Sequence, residues 1–119
     1  MHTVHVPEEP QNGIAYAAVG IMFDVKFYNA ELSYTQRKIV DNFFDSLQWN
    51  SNANRKTDKY KIDMLNYGTL MDMVDFNNRW TYKGSVTTPP CATFVHWNVL
   101  RTIYPISERH LKQFKEQLG

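Results

Sequence analysis

Cysteine is almost absent from this chain, with Cys91 the single one among 119 residues. A lone cysteine excludes an internal disulfide and any zinc site built from thiolates alone. It reads either as a buried small hydrophobe or as the partner of a cysteine outside this sequence. Charge of one sign is also missing, since 13 Lys and Arg face 12 Asp and Glu for a formal net charge of +1. That balance removes the electrostatic case for nucleic acid as a partner; Arg55-Lys56 and Lys59/Lys61 form only a small cluster in a polar stretch. No apolar run approaches the length of a bilayer span, so membrane insertion is not expected. The opening Met1-His2-Thr3-Val4-His5 has neither a basic nor an apolar leader region, so it does not read as a signal peptide. Internal repeats and low-complexity tracts are lacking as well.

What is present is the material of a folded domain. Hydrophobic residues make up 43% and aromatics 14%, and the length suits one domain with a modest core. Residues 2–6 read as the end of a strand, stopped by Pro7 and the polar Glu8–Gly13 loop. Ile14 to Tyr28 is rich in Val, Ile, Phe and Tyr and reads as a central strand. Ser33 with Gln36 three residues on forms a capping-box pattern, and Ile39, Val40, Phe43, Phe44 and Leu47 follow at helical spacing, predicting a helix over 34–48. Residues 50–59 read as a polar, mobile loop, Tyr60–Leu65 as a short strand, and 66–78 as irregular chain with at most a helical turn. Trp80-Thr81-Tyr82 has strand propensity and runs into a turn over Gly84–Pro90, where two prolines forbid helix. Thr93 to Ile103 is a second strand-like run, and Ser107 can cap a final helix with Leu111 and Phe114 facing inward. The fold class is therefore mostly β with some α.

One stretch is specific. Trp80-Thr81-Tyr82-Lys83-Gly84-Ser85-Val86-Thr87-Thr88-Pro89-Pro90-Cys91, followed by Val95-His96-Trp97, resembles the alpha-type carbonic anhydrases, which read Tyr-x-Gly-Ser-Leu-Thr-Thr-Pro-Pro-Cys and then Val-x-Trp. Pro105-Ile106-Ser107 and Leu111-x-x-Phe114 continue the agreement, Ala18-Val19-Gly20-Ile21 is similar to the family's Val-Leu-Gly-Ile strand, and His2-Thr3-Val4-His5 to its Glu-Leu-His-Leu-Val-His strand, cut just after the glutamate. The resemblance implies that residues 1–119 are the C-terminal portion of such a domain. Its central twisted β-sheet would carry peripheral helices, with the family's His-x-His strand and its extreme C-terminus lying outside.

What the resemblance implies about chemistry is equally concrete. The family's zinc has three protein ligands and an open position for water, which becomes hydroxide near neutral pH. His2 matches the third ligand; the other two have no counterpart here. Thr87 matches the threonine whose hydroxyl orients the zinc-bound oxygen and whose N–H meets a substrate oxygen. The glutamate that polarises this threonine is not at its matching position, and Glu8 and Glu9 do not replace it. Thr88 would line the polar side. Val4, Ala18, Val86, Val95 and Trp97 match the apolar wall that receives carbon dioxide, although unaided each would read as core. Ala18 and Val86 are smaller than the family's usual residues, which should widen the pocket. Strand alternation puts His2 and Val4 on one face with Val95 and Trp97, and turns His5 and His96 away. His5, His96 and His110 then read as structural histidines.

The expected activity is reversible hydration of carbon dioxide to bicarbonate, with zinc as cofactor, once a further polypeptide or segment completes the sheet; residues 1–119 alone are expected to be inactive. The alternative is a non-catalytic, carbonic anhydrase-like interaction subunit of a larger assembly. Cys91 would pair with a cysteine in a missing segment, and the Thr-Thr-Pro-Pro-Cys pattern leans toward an extracytoplasmic setting.

Overall fold

The computed structural model describes residues 1–9, 13–28, 32–49 and 62–118. It separates into two compact units, Met1–Phe23 with Asp75–Ile103, and Asp24–Val74 with Tyr104–Gly119.

The first unit is built on a four-stranded sheet in the order β1-β2-β4-β3. Its strands are β1 (His2–His5), β2 (Tyr16–Asp24), β3 (Arg79–Gly84) and β4 (Val95–Pro105). β1 runs antiparallel to β2, with His2 opposite Gly20 and Val4 opposite Ala18. β3 runs antiparallel to β4, with Tyr82 opposite Trp97 and Gly84 opposite Val95. β2 and β4 are neighbours in the middle, and beside them Ala15 N–H donates to the Phe94 carbonyl at 3.0 Å. Side chains alternate across a strand, so His2, Val4, Tyr16, Ala18, Val95 and Trp97 share one face. On that face Ala18, Val95 and Trp97 are buried. By the same alternation Ile21 and Leu100 are buried from the opposite face.

The second unit is helical. In α1 (Tyr34–Ser46) the Ser33 hydroxyl accepts from Gln36 N–H and the Gln36 side chain accepts from Ser33 N–H, the reciprocal cap anticipated from sequence. Val40, Phe43 and Phe44 form its buried face. α1 packs against α2 (Tyr67–Asp72) and α3 (Glu108–Leu118). Ser107 caps α3 by accepting from His110 N–H at 3.1 Å.

Several expectations need correction. The long strand proposed for Ile14–Tyr28 is a strand only to Asp24, after which the Asp24 carboxylate caps a 3-10 turn over Val25–Phe27. Residues 62–65 form no strand, and Tyr60 with the polar stretch 50–59 lies outside the described residues. The helical turn expected within 66–78 is present as α2. Phe114 does not face inward as the spacing suggested, being 41% exposed beside the Trp49 ring. Cys91 is exposed, so its burial as a small hydrophobe is excluded.

Candidate functional site

The shared face of the sheet carries a small cleft of about 60 Å³, lined by His2, Val4, Tyr16, Ala18, Val86, Thr87, Val95 and Trp97. Three strands and one turn converge there. The turn is held by Val86 N–H donating to the Ala92 carbonyl at 2.9 Å and Cys91 N–H donating to the Thr88 carbonyl at 2.8 Å. Between them stands a cis Pro89-Pro90 bond.

Trp97 is the fixed wall. It is 5% exposed, and its indole N–H donates to the Ser85 carbonyl at 3.0 Å. Tyr82 stacks on it at 6.3 Å between ring centres. Gly84 beside it leaves the ring its room, because a Cβ there would meet Trp97 Cδ1 and Tyr82 Cε2 at 2.9 Å each. His2 presents its ring edge-on to the indole at 4.9 Å, and stands opposite Gly20 of β2.

Of the residues matched to the family's zinc and carbon dioxide site, His2, Val4, Ala18, Val86, Thr87, Val95 and Trp97 are brought together and Thr88 is not. Thr88 is exposed and does not line the cleft; its carbonyl is occupied in closing the turn. Val4 lines it while remaining 62% exposed, because β1 is the outermost strand. His5 and His96 lie on the opposite face, where His5 Nε2 is 3.2 Å from Thr3 Oγ1 and His96 pairs with Lys83. Tyr16 also lines the cleft and packs, like Val86, against the cluster of Ala18, Val95 and Trp97. Tyr16 was missed; its place two residues from Ala18 on the same strand was the available signal.

A zinc ion needs three protein ligands in a catalytic site. His2 is the one residue lining the cleft of a type that can ligate a metal, and no group of three His, Cys, Asp or Glu side chains placed to hold a metal occurs among the described residues. The described residues by themselves do not fit that metal. A larger hollow of about 370 Å³, lined by Gly13, Ile14, Lys83, Gly84, Thr93 and Phe94, offers no ligand set or acid–base pair.

The helical unit holds the contrasting histidine. His110 is fully buried, with Nε2–H donating to Asp45 at 2.7 Å, the Ser107 hydroxyl 2.8 Å from Nδ1, and Asp41 Oδ1 3.5 Å from Nδ1. That Asp41 oxygen is buried with no hydrogen-bond partner, so the nearby imidazole is its polar neighbour. Burial alone would raise the Asp45 carboxyl, but hydrogen bonds and charge from His110 and Arg109 outweigh it and hold the carboxyl below its usual range. Burial, then the hydrogen bond to Asp41 and its charge, push the Tyr28 phenol up to about 12. His110 thus ties α3 to α1, as a structural histidine should.

The backbone matches solved alpha-carbonic anhydrases. Against the Thermovibrio ammonificans enzyme in complex with sulfanilamide, the TM-score is 0.65 at 24% identity, covering 99% of this chain and 44% of that one. Against the Photobacterium profundum alpha-carbonic anhydrase it is 0.66 at 23% identity, covering 99% and 46%. Those likenesses define the fold. The sequence profile described as eukaryotic-type carbonic anhydrase matches residues 1–119, and the chain belongs to that family. It is 34% identical over 90 residues to human carbonic anhydrase 7, covering 67% of this chain and 33% of that protein. It is 27% identical over 96 residues to a rat carbonic anhydrase-related protein, covering 81% and 31%. The chain therefore spans about a third of the length of these relatives.

Proposed function

We propose that this chain supplies the carbon dioxide-binding side of a carbonic anhydrase-type site, and that reversible hydration requires zinc ligands from outside the described residues. The observation that supports the reading is the meeting of His2 and Thr87 with Val4, Ala18, Val86, Val95 and Trp97 in one cleft. Carbon dioxide has no net dipole, so an apolar wall suits it better than strong hydrogen-bond donors. Thr87 would set the orientation of the attacking oxygen, and its N–H would meet charge developing on the substrate. His2 would contribute one imidazole to a zinc that other residues complete.

Completion calls for a partner strand along β1, from another polypeptide or a further segment. Val4 and Val6 are 62% and 72% exposed on or beside this outermost strand, and residues 1–6 include no Lys, Arg, Asp or Glu to discourage pairing. Burying a valine contributes about 1.5 kcal/mol or more. The lone imidazole also favours a second reading, a carbonic anhydrase-like interaction module without catalysis. Carbon dioxide hydration by purified residues 1–119, followed with a pH indicator with and without added zinc, tests the first. No zinc-dependent rate is expected; a rate removed by chelator and restored by metal would overturn the requirement for outside ligands. Sedimentation and binding of a dye specific for exposed apolar surface test the partner. A compact monomer that binds no dye would argue against one.

A further inference from the structure

Tyr16 changes what the cleft can hold. We infer that its ring is the size-determining residue of this cleft, closing the apolar pocket to a ligand as large as benzene while leaving room for a linear triatomic molecule. The inference rests on reading the cleft as the carbon dioxide side of the site, and names the residue that sets its capacity.

Ala18 and Val86 are short, and with them alone the pocket would be broad. Tyr16 stands on the same face of β2 and packs against the cluster of Ala18, Val95 and Trp97. About 60 Å³ remains, whereas an apolar cavity that accepts benzene measures about 150 Å³. Trp97 is held in place through its indole N–H to the Ser85 carbonyl, and Tyr82 stacks on it. Tyr16 is the other large ring among the described residues lining the cleft, so capacity depends on it. Removing it opens a space of phenol size beside the existing hollow, enough for a benzene ring. The hydroxyl plays no part in this, so Tyr16→Phe should behave as the native chain.

The test is methyl NMR of the 119-residue chain labelled at valine, reading Val4, Val86 and Val95. In the native chain and in Tyr16→Phe, benzene should leave these methyls unmoved. In Tyr16→Ala they should shift, with an affinity at least about tenfold tighter than native, equivalent to about 1.4 kcal/mol. Tyr16→Val, which keeps a good strand former, gives the same comparison if the alanine variant does not fold. Native chain that binds benzene as tightly as the variants, or folded variants that bind none, would overturn the inference; benzene binding to the native chain does so without any variant. Dissolved carbon dioxide in the same samples reports separately on the proposed function. If it moves no methyl while benzene still discriminates, the functional reading fails and the size filter stands.

Discussion

The sheet unit and the helical unit treat histidine in opposite ways. In the sheet unit His2 is exposed on an outer strand, with its ring edge against Trp97. In the helical unit His110 is sealed from solvent and held by Ser107 and Asp45, with Asp41 beside it. The same side chain is available for chemistry in one place and committed to structure in the other. Accessibility and the partners already taken decide which, because a buried imidazole with satisfied nitrogens has no lone pair left to offer.

The sharpest way to break this contrast is His110→Ala. It removes two side-chain hydrogen bonds and leaves Asp41 and Asp45 without their buried partner, at an expected cost of about 3 kcal/mol. Urea unfolding followed at Trp49, which lies beside Phe44 and Phe114, would measure it. A loss under about 1 kcal/mol would remove His110 from its structural role.

Gly84→Ala should come next. Its new Cβ would sit 2.9 Å from Trp97 Cδ1 and Tyr82 Cε2, and overpacking of that kind costs about 2 kcal/mol. The valine methyls of the cleft should shift while those of Val40 and Val74 stay in place. Unchanged methyls at Val86 and Val95 would mean that the Trp97 wall is softer than its contacts indicate.

His2→Ala should scarcely matter to stability, costing about 0.5–1 kcal/mol for the lost edge-on ring contact. Zinc binding by the chain, measured by calorimetry, should already be weak and become weaker still in this variant. Tight binding that survives the substitution would place the metal elsewhere.

The smallest effects are at the pH extremes and belong to the helical unit. Tyr28 is raised in the folded state to about 12, so its contribution is complete below the unfolded value near 10 and declines as pH rises from there toward 12. Asp45 is lowered in the folded state, so its contribution is present above the unfolded value of about 4 and is lost as pH falls through the folded one. Tyr28→Phe should flatten the alkaline decline in the urea midpoint. An unchanged decline would assign it to another group.

Much of this was legible before any coordinates. The cap of α1 needs only Ser33 and Gln36, three residues apart, so sequence alone determined it. Alternation along β4 likewise separated Val95 and Trp97 from His96, since a strand's period of two is a property of the backbone. The Thr87-Thr88-Pro89-Pro90 turn and the Ala18–Ile21 strand carried the family with them. Only tertiary structure could decide the rest. The sheet order β1-β2-β4-β3 brings strands from distant parts of the chain side by side. Tyr16 joins the cleft because it packs with Ala18 against Val95 and Trp97 of the neighbouring strand. Thr88 is exposed outside the lining of the cleft. His110 finds Asp45 across 65 residues of sequence. Local spacing fixes conformation and facing through short-range sterics and hydrogen bonds, whereas occupancy of a cleft and satisfaction of a buried charge depend on which distant side chains the fold brings within a few ångströms.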